Sequence, residues 1–392
     1  MVDHTMRRIV IVNRYYPPNP AISGQSACEM VKELSYRMPK TKLLIRYVDA
    51  PYAGGQSNQI PVGTLGPMSS IYNGKNKILR FIGNFIEGYR LIHKSLPFAD
   101  AIISLTDPPM LHFWAGILCN SKRIPWINWA LDLYPEAFRA AGIVSNKNIV
   151  YQGFQRSIKT FPPDFIIALG EQQANYLKTK FQKNIPTAIL PCGIYKSTIV
   201  SSIPEWKSNN KKVFAYAGNM GEAHDPDFLI QLIKQLNPQK HVCLLSLYGV
   251  KAPYVLNAIK NNSAVKILDH IPQEHLPYID VHLVSLLSKW THVCVPSKAV
   301  SAICSGNAIA FHGDSHADSW QMFQKAGFYI SNSGQSKKMS DDISVMLKSL
   351  DNSKILDQKQ QAANKYQKDL IKQKSKAYDS IVAFLEKNTL NN

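Results

Sequence analysis

Short runs of β-branched and aliphatic residues alternate with segments of helical periodicity from one end of the chain to the other. In the first half these runs predict strands at Arg8–Asn13, Lys42–Val48, Ala99–Leu105, Pro125–Ala130, Asp164–Leu169 and Thr187–Leu190. In the second half they predict strands at Lys212–Ala217, His241–Leu247, Val265–Leu268, Val281–Ser285 and Asn307–Phe311. Because strands that alternate with helices form parallel sheets, the predicted class is α/β, with two doubly wound, Rossmann-like domains facing a cleft.

The length and a change of composition divide the chain. Its 392 residues exceed the roughly 250 to 300 residues at which one hydrophobic core stops growing. Segment 191–212 is rich in Ser, Pro, Asn and Lys, so it predicts a linker between an N-terminal domain at 1–190 and a C-terminal domain at 213–353. Segment 354–392 is polar with spaced apolar residues, and we expect amphipathic helices there that pack back toward the N-terminal domain.

The chain is strongly basic, with a net charge of +18. Such a charge favours phosphates, anionic lipids or nucleic acids as partners. The sequence has no zinc-finger, helix-turn-helix or RNA-binding aromatic pattern, so we expect no nucleic-acid partner. The six cysteines are scattered without a metal-ligand spacing, which indicates reduced thiols in a reducing compartment.

The sequence shows no targeting signal. The first residues lack the apolar stretch of a signal peptide, and the longest unbroken apolar run, Phe113–Cys119, is far shorter than the roughly 20 residues that span a bilayer. We therefore expect a cytoplasmic protein, or one that lies on the inner face of a membrane.

Candidate residues follow the strands of the first half, because ligands of doubly wound sheets bind at the carboxyl ends of strands. Gly24 lies at a helix entrance, where its small size lets backbone amides approach a phosphate or a sugar hydroxyl. Asp132 and Glu136 follow the fourth predicted strand and would bind sugar hydroxyls or stabilise positive charge at a sugar carbon. The alternatives are an ordinary turn glycine and an aspartate that caps a turn.

A glycine-containing turn follows the first strand of the second half. It contains Gly218, Asn219, Gly221 and His224, and it would wrap a diphosphate, with His224 as a hydrogen-bond donor; a structural histidine is the alternative. Asp225 and Pro226 then have the pattern of a helix cap and a first helical residue. The spacing is neither the dinucleotide fingerprint G-x-G-x-x-G nor the phosphate loop G-x-x-x-x-G-K.

A cation stands at a second predicted helix start. Ser297 and Lys298 begin a helix that also carries Ser301, so backbone amides and an ammonium group would together bind a diphosphate. The alternative is a solvated lysine beside a capping serine.

Several motifs occur in a characteristic order along nearly the whole chain: NRYYPP, SGQS, DPP, DLYPE, PCGI, AGNMGEAHD, VPSK and GNAIAFHG. In these motifs the sequence resembles bacterial GT-B glycosyltransferases of the family 4 type, especially those that build O-antigen and exopolysaccharide. The resemblance implies retaining transfer from a nucleotide diphosphate sugar, with UDP as the expected nucleotide, to a glycan or a polyprenyl-diphosphate-linked acceptor in surface polysaccharide biosynthesis. It also implies that no metal ion or other cofactor takes part.

The resemblance assigns residues to the two domains. The second domain would hold the donor and the first the acceptor, with Gly24 near the donor phosphates. The resemblance places Gly218 and Asn219 under the diphosphate and Lys298 against it. Together with the residue patterns above, the candidate catalytic residues are Asp132, Glu136 and Lys298. The candidate donor-binding residues are Gly24, Gly218, Asn219, Gly221, His224, Ser297, Lys298 and Ser301.

The chain departs from the family pattern at one acidic pair. Many relatives carry a Glu-x7-Glu pair whose second glutamate binds the ribose, and Ser301 stands at that position here, with Val293 eight residues earlier. Two alternatives stay open, the second of them because of this departure. One is a nucleotide-sugar epimerase of related fold, and the other is an inactive homologue that acts as a binding or scaffold protein.

Segment 75–94 has the pattern of a cationic amphipathic helix. Isoleucine, leucine and aromatic residues alternate with basic residues, and Glu87 is its single acid. The basic residues are Lys75, Lys77, Arg80, Arg90 and Lys94. Such a helix predicts contact with an anionic membrane surface, and the alternative is an internal helix with a solvated basic face.

Overall fold

The computed structural model describes residues 7–49, 59–74, 76–195, 203–207, 210–332 and 334–389. Its residues form two compact units, each described below by itself. Unit 1 comprises Met1–Cys192 with Gln373–Asn392, and unit 2 comprises Gly193–Lys372. The division falls inside the predicted linker 191–212, of which 196–202 and 208–209 lie outside the described residues.

Unit 1 is built on a parallel sheet, in which seven strands are described. Its strands are β1 (Arg8–Val12), β2 (Lys42–Asp49), β3 (Thr64–Ser69), β4 (Ala101–Ser104), β5 (Trp126–Trp129), β6 (Phe165–Ala168) and β7 (Thr187–Ile189). Its helices are α1 (Ile22–Arg37), α2 (Lys77–His93), α3 (Leu111–Lys122), α4 (Glu136–Ala140), α5 (Ile149–Thr160) and α6 (Glu171–Phe181). The strand order is β3-β2-β1-β4-β5-β6-β7, so the connections reverse direction between β1 and β4, where ligands of such sheets bind.

Unit 2 repeats this architecture with a six-stranded parallel sheet within the described part of the chain. Its strands are β8 (Lys212–Asn219), β9 (His241–Tyr248), β10 (Val265–Ile267), β11 (Val281–Ser285), β12 (Ala308–Gly313) and β13 (Gly327–Ser331). Its helices are α7 (Pro226–Gln235), α8 (Ala252–Ala258), α9 (Ser297–Cys304), α10 (Asp318–Gln321), α11 (Ser336–Ser349) and the start of α12 (Ser353–Asn388). The order β10-β9-β8-β11-β12-β13 reverses between β8 and β11.

The apolar strand runs become the cores of the two units. Ile9, Val10 and Ile11 of β1 are fully buried, as are Phe214 and Tyr216 of β8. A strand covered by helices on both faces has no solvent side, which explains why these runs are continuously apolar rather than alternating. The predicted α/β class with doubly wound sheets is confirmed.

Two strands, β3 and β13, were not predicted. Both lie at an edge of their sheet, and both contain residues that weaken a strand pattern: Gly66 and Pro67 in β3, and Gly327 in β13. Edge strands tolerate such residues because one side of the strand needs no partner.

The long helix α12 ends in unit 1. In its last turns Tyr378, Ile381 and Leu385 are buried, and the ring of Phe384 packs against Phe165 of β6 at 5.1 Å. Arg37 of α1 forms an ion pair with Asp379. Among the described helices, none is long and apolar enough to cross a membrane.

Candidate functional site

A tight turn follows β8 at the carboxyl edge of the unit 2 sheet. Gly218 has a φ of +116°, a conformation that side chains disfavour, so this position requires glycine. The turn is held by two hydrogen bonds: the Tyr216 hydroxyl donates to the Asn219 carbonyl at 3.2 Å, and the Met220 amide donates to the Tyr248 carbonyl at 2.7 Å. The turn is therefore fixed before any ligand arrives.

Lys298, in the first turn of α9, reaches this turn. Its ammonium nitrogen lies 3.6 Å from the centre of the Tyr216 ring and 3.5 Å from the Asn219 carbonyl oxygen. The side chain is half-buried, and its burial lowers the pKa of Lys298 well below its usual value. A weakly solvated cation at a sheet edge is suited to a ligand that brings negative charge.

Backbone donors lie beside this cation. Within the described residues no side chain caps α9, which begins at Ser297 after Pro296, so no side chain competes with a ligand for its first amides. Of these, the Ala299 amide donates to the Pro296 carbonyl at 3.1 Å. The positive end of the helix dipole acts in the same direction as the Lys298 ammonium. The structure thus brings Lys298, Asn219 and the start of α9 together in unit 2, an arrangement that can bind a phosphate or a diphosphate.

His224 is oriented differently from the sequence prediction. Its Nδ1 lies 2.6 Å from the Ser285 carbonyl oxygen, so Nδ1 carries the proton and donates there. Burial and the nearby charge of Lys298 lower the pKa of His224 to about 3, which keeps the ring neutral. Nε2 is then a hydrogen-bond acceptor, and it suits a sugar hydroxyl rather than the phosphate to which the sequence assigned it as a donor.

Two further residues of this region have structural contacts. The Ser301 hydroxyl donates to the Ser297 carbonyl at 3.1 Å and accepts from the Ile194 amide at 3.0 Å, so it fastens the entry of the chain into unit 2. Asp225 caps α7 by accepting from the Asp227 amide, and Pro226 is the first helical residue, as the sequence predicted.

Gly221 lies in the same turn as Asn219. A Cβ at this position would approach the Asn219 amide nitrogen to 3.2 Å, which is tight but adjustable because that side chain can move. Gly221 is thus required less strictly than Gly218.

The unit 1 residues form a separate group at the carboxyl ends of β1, β4 and β5. Asp132 is half-buried, and burial, with a further contribution from the charge of Asp107, raises the pKa of Asp132 to about 7. Asp107 accepts a hydrogen bond of 2.7 Å from the Ser23 hydroxyl. A carboxyl group that titrates near neutrality can exchange protons with a bound hydroxyl.

Gly24 has a packing role that the structure defines. It lies in the first turn of α1, where an added Cβ would stand 3.0 Å from the backbone carbon of Tyr15. Any larger residue would push α1 away from the turn that follows β1.

Glu136 lies inside unit 1 and is 1% exposed. It accepts a hydrogen bond of 2.6 Å from the Lys180 ammonium and one of 3.0 Å from the Tyr176 hydroxyl. Burial alone would raise its pKa, but the charge and hydrogen bond of Lys180 lower the pKa of Glu136 to about 2. This geometry ties α4 to α6.

Sequence reasoning missed the partners of the site residues. Tyr216 was taken as part of a strand, although its ring supports Lys298. The buried ion pair between Arg14 and Glu87, at 3.0 Å, was also missed. Arg14 directly follows the strand-end residue Asn13, which is the one signal that pointed to it.

Within the described ranges, no group of three His, Cys, Asp or Glu side chains is arranged to hold a metal ion. No two of the six cysteines, all of which lie in described residues, form a disulfide.

Comparison with known proteins gives one curated relative and many structures. No family model matches the chain. The probable glycosyltransferase WbjE of Pseudomonas aeruginosa is 23% identical over 229 residues, which are 54% of this chain and 56% of that protein. The chain therefore spans little more than half the length of this curated relative.

Solved structures match over nearly the whole chain at low identity. WaaG, a glycosyltransferase involved in lipopolysaccharide biosynthesis, matches with a TM-score of 0.67 at 13% identity. The match covers 95% of this chain and 98% of the WaaG chain. HepE from Anabaena, solved in complex with UDP, matches with a TM-score of 0.62 at 13% identity. The match covers 96% of this chain and 100% of the HepE chain. The chain therefore has the GT-B fold, and the resemblance to GT-B glycosyltransferases that its motifs indicated is confirmed.

Proposed function

We propose that the chain is a retaining glycosyltransferase that transfers a sugar from a nucleotide diphosphate sugar, with UDP as the nucleotide, to a growing surface glycan. The observation that carries this proposal is the position of Lys298 beside the Asn219 turn and the uncapped start of α9. The relative WbjE is named a probable glycosyltransferase, and HepE was solved with UDP and with UDP-glucose, which supports the same donor class.

The donor diphosphate would lie against unit 2. The Lys298 ammonium and the amides of Gly218, Asn219 and Ser297 would bind its oxygens, and the acceptor nitrogen of His224 would receive a sugar hydroxyl. As the bond between sugar and phosphate breaks, negative charge grows on the leaving phosphate, and fixed donors stabilise that charge most. The leaving phosphate would take the proton of the attacking hydroxyl, which gives front-face attack and retention. We propose that this charge stabilisation needs no metal ion.

The acceptor would be a glycan on a polyprenyl diphosphate. Asp132 would bind a hydroxyl of the acceptor, because a half-buried carboxyl with a pKa near 7 can both donate and accept a hydrogen bond. We assign Glu136 to stabilisation of unit 1 rather than to substrate binding, because its carboxylate already accepts hydrogen bonds from Lys180 and Tyr176. Such an acceptor would place the protein at the cytoplasmic face of a membrane.

Nucleotide binding tests the donor half of this proposal. Titration calorimetry with UDP, GDP, CDP and dTDP should show the tightest binding for UDP, and Lys298→Ala should weaken it by at least about tenfold, since a charged hydrogen bond contributes about 1.5 to 3 kcal/mol. Lys325→Ala, a change at an exposed lysine of the same unit, is the matched control. A wild-type chain that binds none of the four nucleotides would refute the proposal.

Product analysis tests the transfer half. With a UDP-sugar and a lipid-linked acceptor, we expect a product whose new linkage keeps the anomeric configuration of the donor, as read by NMR. An inverted linkage contradicts the retaining mechanism. If the protein converts the donor into an epimer when no acceptor is present, the proposal of sugar transfer is wrong.

A further inference from the structure

The solvent-facing side of α2 is apolar, the reverse of an ordinary surface helix. Ile78, Ile82, Ile86 and Tyr89 recur at intervals of four and three residues, so they form one stripe along the helix. Their exposed fractions reach 71% at Ile78 and 48% at Ile82. The other side of the helix carries Leu91, which is fully buried. The helix therefore buries one apolar side in unit 1 and exposes a second apolar side to which a partner could bind.

The apolar surface continues beyond α2. The ring of Phe81 packs edge-on against Phe138 of α4 at 5.4 Å, and the Phe138 carbonyl accepts the amide of Ile143 at 2.9 Å. Ile143 is exposed, and two more exposed apolar residues open α5. We call the whole set the apolar face: Ile78, Leu79, Phe81, Ile82, Ile86, Tyr89, Ile143, Ile149 and Val150.

The exposed charged side chains described in the segments that carry the apolar face are positive. The only acids in segments 71–98 and 136–150 are Glu87 and Glu136, each 1% exposed. Glu87 is neutralised by Arg14 and Glu136 by Lys180. The exposed charged side chains of these two segments include Arg80, Lys94, Arg139 and Lys147. Lys75 lies outside the described residues, and the sequence prediction of a basic helix at 75–94 otherwise falls on α2.

We propose that the apolar face is a docking surface for a bilayer that contains anionic phospholipids. An apolar stripe with a basic border matches the boundary between acyl chains and negatively charged headgroups, where such helices lie flat with their apolar side about 5 to 10 Å deep. A second copy of this chain is the less favoured occupant, because it would bring two positive borders together on molecules that each carry +18. The inference concerns where the chain docks and is independent of sugar transfer.

A second segment adds exposed apolar area to that of α2, which a bilayer can cover and a single bound peptide covers less well. Ile149, at the start of α5, is 85% exposed, and it belongs to a different helix from Ile78. Exposed apolar residues therefore lie on α2, in the turn after α4 and at the start of α5, and Phe81 joins the first of these to α4. Large apolar patches with a polar border mark membrane or protein contacts.

Vesicle co-sedimentation of the full chain tests the proposal. The wild type should bind vesicles of phosphatidylcholine with phosphatidylglycerol at least about tenfold more tightly than vesicles of phosphatidylcholine alone, and added salt should remove the difference. The double variant Ile78→Ser with Ile82→Ser should lose at least about tenfold in binding. Arg80→Gln with Lys94→Gln should lose the preference for phosphatidylglycerol.

A matched control lies in unit 2, where Ile267 and Val345 are similarly exposed, at 63% and 68%. Ile267→Ser with Val345→Ser should bind vesicles like the wild type. All of the substituted side chains are exposed, so each variant should melt like the wild type. Equal vesicle binding by the Ile78 and Ile82 variant, or no vesicle binding by the wild type, overturns the proposal. Dimers in sedimentation that this variant disperses would assign the face to a second copy instead.

Discussion

The ammonium group of Lys298 lies over the face of Tyr216, 3.6 Å from the ring centre, and Tyr216 itself is fully buried. The ring attracts the cation without neutralising it, because its face carries only partial negative charge. Within the described residues Lys298 forms no ion pair with a carboxylate, and burial makes its charged form costly. Such a cation lowers the stability of the empty protein and strengthens the binding of an anionic ligand.

Lys298→Met should separate these two effects. We expect it to reduce sugar transfer by at least about a hundredfold, through loss of charge stabilisation on the leaving phosphate. The same change should raise the free energy of unfolding by about 1 kcal/mol or more, because it removes a poorly solvated charge. Urea unfolding and a transfer assay, with Lys325→Met as the control, measure both. A variant that loses stability and transfer together would indicate a structural role.

The stability gain should depend on pH with a defined sign. The pKa of Lys298 is lowered in the folded protein, so the unfolded chain binds more protons as pH rises between the folded value and about 10.4. The wild type therefore recovers stability over this range. The advantage of Lys298→Met should be largest below the folded pKa and should shrink toward high pH. An advantage that stays constant with pH would contradict the assignment.

Tyr216→Leu should weaken UDP binding more than Tyr216→Phe. The phenylalanine keeps the ring and loses the hydrogen bond to the Asn219 carbonyl, whereas leucine loses both. A cation over a ring is worth about 0.5 to 2 kcal/mol, so we expect a loss of about threefold to thirtyfold for leucine beyond that for phenylalanine. Calorimetry on folded variants measures this. If both variants lose equally, the hydroxyl and not the ring supports the site.

Glu136→Gln should act on stability. Removing one partner of a buried ion pair costs about 3 to 5 kcal/mol, and the double variant Glu136→Gln with Lys180→Met should lose less than Lys180→Met loses alone, since no buried charge is left unpaired. The low pKa of Glu136 contributes stability that is present above its usual value and is lost as pH falls toward about 2, so Glu136→Gln should flatten that acid dependence. Denaturant unfolding at several pH values measures both. A fully stable variant without transfer activity would restore the catalytic role predicted from the sequence.

Asp132→Asn should change the pH dependence of the unfolding free energy in the direction opposite to that of Glu136→Gln. A carboxyl whose pKa is raised to about 7 binds more protons when folded, so the wild type loses stability as pH rises from about 4 to 7. The asparagine variant should gain on the wild type between pH 5 and pH 8, by up to about 2 to 3 kcal/mol for a shift of this size. Thermal melts at the two pH values measure the gain. An equal difference between the proteins at both values would contradict it.

Local signals in the sequence were enough for the strands with buried apolar runs and for the cap at Asp225 and Pro226, because neighbouring residues determine both. Local signals were insufficient to distinguish the roles of Asp132 and Glu136, which belong to the same motif. The two carboxyls differ because Lys180, 44 residues beyond Glu136, reaches one and not the other. Pairing at such a distance depends on how α4 and α6 pack, which residue spacing alone does not express.

The same limit applies to Lys298. Its place at a helix start was readable from Pro296 and the serine after it, but the ring beneath it comes from β8, 82 residues earlier. Which ring nitrogen of His224 carries the proton could not be predicted from the sequence either, since it depends on the Ser285 carbonyl of β11.

The fastening of Ser301 to Ile194 and Ser297 limits how this chain can be redesigned. A glutamate introduced at 301 would remove the hydroxyl that accepts from the Ile194 amide and so release the incoming chain from α9, and it would also remove the hydrogen bond to the Ser297 carbonyl within α9. Any redesign of position 301 must therefore rebuild the chain entry at the same time.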